Sequence, residues 1–353
     1  MKKIKALLTA RAILFLAAAF TLPLFSTAQD IHFSQLSETP LLLNPANAGL
    51  SHDLLVTVNY KDQWRSVTTN SFKTFNVGAD MAVLKSKTGS HMGIGLDVFS
   101  DKAGDAFMGT TTGQLHLSGV LAANDYNLFS AGIYGGFGQR SLSYEKLYWD
   151  NQYVGGSLDP TVPSLEPGTV SNRSYADIGF GVAWFYGKGH NTISSNDQMN
   201  FTAGFSLQHL NKPVYTFYGN TDQRLPMKFV AHGNAAIGIK NYSLVLEPGY
   251  LVTIQGGHHE ISAGALVKYW LQEASVYTGR KKPAAFVLGG YYRFADAFNI
   301  VTGFEMSYFR LGISYDVNLS NLTAASKSRG GLEISLRFSA SSSGNNKNKS
   351  FFN

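Results

Sequence analysis

The chain has no cysteine among its 353 residues. That excludes disulfide scaffolds, Cys-based zinc sites, iron–sulfur clusters and a thiol nucleophile. Charge is scarce as well. Asp, Glu, Lys and Arg make up 15% of the chain, against about 25% in an ordinary soluble protein. After Ala28 no run of about 18 apolar residues occurs, so no transmembrane helix is expected in the mature chain. Helical periodicity is almost missing from the same stretch. What abounds is glycine (36 residues) and aromatic side chains (24 Phe, 18 Tyr and 4 Trp). An apolar fraction of 44% is too high for a disordered chain.

The basic pI of about 9.2 raises the question of an anionic partner such as nucleic acid. Lys2, Lys3, Lys5 and Arg11 precede an apolar run over Ala12–Phe25 and the small residues Ser26-Thr27-Ala28. This pattern predicts a secretory signal peptide over residues 1–28, cleaved after Ala28 to leave Gln29 first. A membrane anchor is the competing reading, disfavoured by Pro23 and the short run. Losing residues 1–28 lowers the formal net charge from +6 to +2. No Lys/Arg stripe with interleaved aromatics appears elsewhere, so no nucleic-acid partner is expected.

The rest of the chain is a series of short alternating segments. Leu332, Ile334, Leu336 and Phe338 alternate with Glu333, Ser335 and Arg337. Residues 174–186, 199–210 and 308–317 alternate in the same way, with one apolar and one small or polar face. Fourteen strands of roughly ten residues are predicted, from 54–64 to 331–338, a length that spans a bilayer when tilted. An all-β, antiparallel up-and-down outer-membrane barrel over residues 51–338 follows, closed because lipid offers an unpaired edge no partner. Tyr60, Trp64, Trp149, Tyr186, Trp270, Tyr291 and Tyr292 are expected in interfacial girdles. A soluble β-sandwich or lipocalin-like barrel is the alternative.

Three stretches break the pattern. Residues 29–50 carry Pro40, Asn44-Pro45 and Gly49 and cannot be one continuous helix or strand. Residues 142–173 form a long proline-bearing loop. Residues 339–353 read as a low-complexity polar tail. A search for chemistry finds no G-x-S-x-G elbow, H-E-x-x-H pair or phosphate-binding loop. His258-His259-Glu260 looks metal-like but reads as a polar turn, since adjacent strand side chains point to opposite faces. No catalytic residue, cofactor or metal is expected. Asp80, Asp97, Glu247, Lys268, Arg293, Glu305, Arg310 and Asp316 fall within predicted strands and are expected to face the lumen.

Four blocks of sequence resemble the PorP/SprF-type outer-membrane proteins of the type IX secretion system. The first is Gln29-Asp30-Ile31-His32-Phe33-Ser34-Gln35, with Pro40 and Asn44-Pro45-Ala46-Asn47-Ala48-Gly49. The second is Tyr60-Lys61-Asp62-Gln63-Trp64 with Phe72-Lys73-Thr74. The third is the run from Gly204 through His209 to Pro213, with Arg224-Leu225-Pro226; the fourth extends from Gly289 to Phe338 and includes Arg293 and Asp316. Lys61 stands where this family commonly has Arg, and the 339–353 tail continues beyond its last strand. The resemblance implies a non-catalytic component supporting export or surface anchoring of cargo, such as a gliding or attachment adhesin. Machine subunits, an adhesin and outer-membrane lipid are the implied partners. Phe33, Ser34, Gln35, Pro40, Asn44, Pro45, Gly49, Gln63, Trp64, His209, Arg293 and Asp316 are the candidate motif or partner-contact residues.

The 29–50 segment is expected to begin in the periplasm. Its apolar Phe33, Leu41, Leu42 and Leu43 must then be buried either as a plug in the barrel or in a partner's groove. A channel for small solutes and, lower, an outer-membrane lipid hydrolase stand as competing functions.

Overall fold

A computed structural model describes residues 32–66, 68, 70–165, 172–188, 191–192, 195–196, 198–217, 223–272, 282–320 and 323–340. The expected signal peptide and the tail beyond Ala340 lie outside these residues. Fourteen antiparallel strands close into a barrel: β1 (Leu54–Gln63), β2 (Phe72–Val83), β3 (His91–Ala103), β4 (Met108–Ala122), β5 (Asn127–Ser141), β6 (Asn172–Lys188), β7 (Met199–Gln208), β8 (Lys228–Ile239), β9 (Leu244–Gln255), β10 (His258–Gln272), β11 (Ala284–Arg293), β12 (Ala297–Met306), β13 (Phe309–Asn318) and β14 (Arg329–Ala340). The seam is β1 against β14, in register from Leu54↔Ala340 to Gln63↔Gly331. The last strand thus runs two residues into the stretch expected as tail. Among the described residues no helix is long and apolar enough to cross a membrane.

Period-two sequence explains both surfaces of the wall. In β3, His91, Gly93, Gly95 and Asp97 are buried inside, while Met92, Ile94, Leu96 and Val98 are exposed outside. Outward Leu, Ile, Val and Phe recur around the ring, which suits a lipid solvent. The eight in-strand charges named above are buried or half-buried within the wall.

Both ends of the strand series, Leu54 and Ala340, lie at one rim, called here the terminal end. The two longest connections, 142–171 and 209–227, lie at the opposite, loop end. Short turns on the periplasmic side and longer loops outside are the rule for such barrels. Gly256 and Gly257 make the tightest loop-end turn, with φ of 56° and 89°, the left-handed pair that a two-residue hairpin demands. His258 therefore already begins β10, and Glu260 is buried in the wall rather than in a polar turn. Two expected girdle residues are also corrected. Tyr291 is buried inward at 4% exposure, and Trp149 packs on Tyr144 within the 142–165 loop.

Residues 32–52 run through the interior of the barrel. Their only regular pieces are one short helix over Pro40–Leu43 and a single 3-10 turn over Pro45–Asn47. Proline opens each piece, where its missing N–H costs nothing. The direction differs from the expected periplasmic start. His32 sits at the loop end, against Glu260 and Arg293, and the chain descends from there to Leu54 at the terminal end. The reason is the charge placed at the loop end of β1, β10, β11, β13 and β14.

Candidate functional site

The lumen grips this interior segment in two different ways. Along β1 and β9–β14 the grip is ionic. The Glu333 carboxylate accepts from the backbone N–H groups of Ser34 (2.8 Å) and Gln35 (3.0 Å). Ser34 Oγ donates to Asp316 Oδ2 at 2.9 Å. Lys61 Nζ donates to the His32 carbonyl (3.1 Å) and to Ser34 Oγ (3.0 Å), and stands 3.6 Å from Asp316 and 3.9 Å from Glu333. Arg293 reaches Asp316 at 3.2 Å. It also donates to His32 Nε2 at 3.0 Å, which fixes the other ring nitrogen, Nδ1, as the donor to Glu260 at 2.9 Å. His32 is therefore neutral, and burial holds its pKa below the usual imidazole value against the pull of Glu260.

A second ionic layer lies toward the terminal end. Lys268 bridges Glu247 (2.8 Å) and Glu305 (3.0 Å), and Arg310 bridges the same two carboxylates at 3.2 and 3.0 Å. Glu38 of the interior segment completes it, 3.5 Å from Arg310 and 3.6 Å from Arg337. Three acids and three bases balance there, as buried charges must.

Along β3–β8 the grip is neutral and close. The Asn44 side chain is fully buried. Its Oδ1 accepts from Ala46 N at 2.9 Å, and its Nδ2 donates to the Val182 carbonyl at 2.9 Å and lies 3.2 Å from His232 Nε2. Barrel hydroxyls and an amide take the segment's carbonyls: Ser130 to Ala46, Ser118 to Ala48, Ser206 to Leu43 and Gln208 to Leu42, all at 2.6–2.7 Å. One carboxylic side chain joins them from neighbouring β2, where Asp80 accepts from the Gly49 N–H at 2.8 Å. Such contact needs bare backbone on the wall. A Cβ built on Gly93 would overlap the Ala48 carbonyl, and one on Gly181 would overlap Asn44 Oδ1. Gly49 itself has φ of 63°, a left-handed turn that suits glycine.

Of the twelve candidate residues, Ser34, Gln35, Arg293 and Asp316 meet in the ionic cluster, and Phe33 beside them in the chain is buried. Asn44, Pro45 and Gly49 meet in the neutral one, and Pro40 starts the short helix between them. His209 stands elsewhere, its Nδ1 2.9 Å from Asp177 Oδ2, which also accepts from the Tyr134 hydroxyl at 2.9 Å. This tethers the start of the 209–227 loop to the wall. Gln63 and Trp64 lie at the loop rim of β1, with Trp64 packed edge-on against Phe72. Sequence reasoning missed Lys61, Glu260, Glu333 and the serines of β4, β5 and β7 as segment-holding groups. Their signal was a polar side chain at an inward strand position. Among the described residues no group of three or more His, Asp or Glu is placed to hold a metal.

Between the interior segment and β6–β10 lies a cavity of about 670 Å³. Asp125, Tyr126, Gln198 and Ser339 line it, so it opens at the terminal end.

The family model described as type IX secretion system membrane protein PorP/SprF matches residues 25–338. The chain belongs to the PorP/SprF family. A closed barrel with an apolar exterior, in a family of membrane proteins, places this PorP/SprF chain in the outer membrane. No curated protein matches it. Among solved structures, the toluene transporter TodX of P. putida is 11% identical, with 87% of this chain and 95% of that one covered and a TM-score of 0.43. A Pseudomonas aeruginosa FadL homologue is 10% identical, with coverage of 84% and 92% and a TM-score of 0.42. BamA from Haemophilus ducreyi lacking POTRA domains 1–3 is 8% identical, with coverage of 81% and 70% and a TM-score of 0.42. Likenesses this distant say nothing about what the PorP/SprF chain does.

Proposed function

We propose that this chain is a non-catalytic outer-membrane component of the type IX secretion system whose lumen is plugged by its own N-terminal segment. It serves export or surface anchoring of a cargo such as a gliding or attachment adhesin, together with machine subunits. In this reading residues 1–28 are removed as a signal peptide, 29–50 form the plug, 51–338 the barrel and 339–353 a tail. The observation that carries the reading is the fastening of residues 34–49 by side chains from around the ring, at the backbone of Ser34, Gln35, Leu42, Leu43, Ala46, Ala48 and Gly49. A conduit for steady solute flow gains nothing from a segment held this way. A scaffold that must stay sealed while presenting loops at one rim and a cavity at the other does.

Deletion of the gene is expected to abolish surface display of the cargo while the outer membrane stays intact. Unchanged display sinks the reading. The cavity at the terminal end motivates the solute channel as second reading. Purified full chain in planar bilayers is expected to stay closed, and a stable solute-dependent conductance would favour the channel.

A further inference from the structure

Thr74 and Asp101 face each other across the β2–β3 ladder on the lumen side, both buried and joined by a 2.8 Å hydrogen bond. Alternation therefore turns their neighbours Lys73 and Lys102 to the outer face, where both are exposed. These two lysines are also direct partners in the register. Cross-strand partners on one face stand about 4.5–5.5 Å apart at Cβ, and like charges placed so repel.

The carboxylates nearby are engaged elsewhere. Asp62, opposite Lys73 on β1, has Arg65 at 3.8 Å. Asp101 takes the Thr74 hydroxyl inside the barrel, and Asp105 in the next turn takes the Asn70 amide at 2.8 Å. Among the described residues neither lysine forms an ion pair. The lumen matches its cations with carboxylates, whereas this outer pair has none.

The depth of the pair decides what can match it. Lys73 and Lys102 lie one residue from the loop-end limits of their strands, Phe72 and Ala103. Phe75, Val98 and Phe137, exposed on the same face nearer the middle of the wall, begin the apolar band. The pair thus stands at headgroup level in the outer leaflet, where lysine stems lie along apolar surface and the ammonium groups reach water. The Lys102 stem lies against Gly109 of β4, away from Lys73, which leaves a gap between the two ammonium groups. Beside it Ser100 and Thr111 share one hydrogen bond of 3.2 Å across β3–β4. That bond uses one hydroxyl hydrogen and leaves the other to donate. Nearer the midplane Gly113, between Val98 and Phe137 in the register, has open space where a side chain would stand.

Two unmatched cations, a hydroxyl donor and an apolar strip below them fit a phosphate monoester carried on acyl chains. We infer that the outer face of β2–β4 binds one phosphorylated glycolipid of the outer leaflet. Its phosphate, close to two negative charges at neutral pH, lies between Lys73 and Lys102. Its sugar meets the Ser100–Thr111 pair, and an acyl chain lies over Gly113. A zwitterionic phosphodiester headgroup fits worse, because its ammonium finds no unengaged carboxylate there. The inference depends on a barrel that spans the membrane with its loop end outward and not on the secretion role, so each can fail alone.

The test is native mass spectrometry of the full chain, purified in detergent strong enough to strip annular lipid, with diphosphoryl lipid A as the probe and phosphatidylethanolamine as competitor. One retained lipid A per barrel is expected, in preference to phosphatidylethanolamine. Lys73→Gln combined with Lys102→Gln is expected to lower retention about tenfold with unchanged heat-modifiable migration. Should the double variant fail to fold, each single variant is expected to lower retention about threefold. Lys188→Gln, at an exposed lysine ending β6 at the opposite rim, is the control and is expected to retain lipid A like the parent. No retained lipid A in the parent chain overturns the inference. So does undiminished retention in the Lys73 and Lys102 variants, an equal loss in Lys188→Gln, equal retention of phosphatidylethanolamine, or displacement of lipid A by inorganic phosphate.

Discussion

The two halves of the lumen hold the same twenty-residue segment by opposite means. On the β1 and β9–β14 side, full charges are buried and matched: Lys61 and Arg293 against Asp316 and Glu333, then Lys268, Arg310 and Arg337 against Glu38, Glu247 and Glu305. On the β3–β8 side, glycines clear the wall so that serine hydroxyls and the Asn44 amide can meet bare peptide groups. The ionic side is specific but intolerant, because each charge left alone inside the barrel is costly. The neutral side is specific by shape, and a misfit there pushes the segment away at the loss of a single contact to an acidic side chain, the Gly49 N–H to Asp80. A fault on the first side should therefore injure the barrel, and a fault on the second should free the segment.

The largest effect is expected from Lys61→Met. It leaves Asp316 and Glu333 short of a cation in a fully buried place, which typically costs about 3–5 kcal/mol. Urea unfolding of the barrel in detergent, read by heat-modifiable migration, would measure it. The double variant Lys61→Met with Glu333→Gln removes one charge of each sign and is expected to recover at least half of the loss. If the double variant is as unstable as the single one, charge balance is not what the ionic side supplies.

Next in size is Gly93→Val. The added side chain must displace Ala48 and costs about 1–3 kcal/mol of strain. The two sides predict different readouts here. Barrel unfolding is expected to change little, because the strain is relieved by lifting the segment. Protease cleavage within residues 44–50 and a new conductance in planar bilayers are expected to appear. Gly113, also in the wall but with open space where a Cβ would go, is the control: Gly113→Val should give neither. A barrel that unfolds with Gly93→Val would mean the segment is part of the fold rather than fitted to it.

The same contrast explains what sequence could foresee. Strand positions were legible because alternation and turn glycines act locally: all fourteen strands fall within a few residues of their expected bounds. Inward charges such as Asp97 and Arg310 were legible by parity. Partners were not. Nothing within a few residues of Lys61 reveals that Asp316, more than 250 positions away, closes on it, and Glu260 was misplaced because two glycines before it looked like the middle of a longer turn. The direction of the segment was hidden for the same reason. Asn44-Pro45 and Gly49 announce rigid turns, but only the ring of charges at the loop end decides that His32 is drawn to that rim.

The smallest effect is one of pH, and it separates the two sides at their junctions with the segment. His32 faces Glu260, Arg293 and Lys61, and burial lowers its pKa. His52, near the terminal end, faces Arg337, Asp53 and Glu305, and burial aided by Arg337 lowers its pKa to about 3. In the unfolded chain both imidazoles titrate near 6.5. Between that value and the lowered one the unfolded chain binds more protons, so stability falls as pH falls. The contribution is complete above pH 6.5 and is lost progressively below it. Because His52 lines the open cavity, its share between pH 6.5 and 5 is only about 1 kcal/mol. His52→Gln is expected to flatten the acid limb of the urea midpoint without altering it at pH 8. His32→Gln is expected to flatten it too, and also to weaken the parent at pH 8, because the Arg293–His32–Glu260 relay is broken. Equal behaviour of the two variants at pH 8 would mean that the relay at the loop end adds nothing beyond keeping a proton off His32.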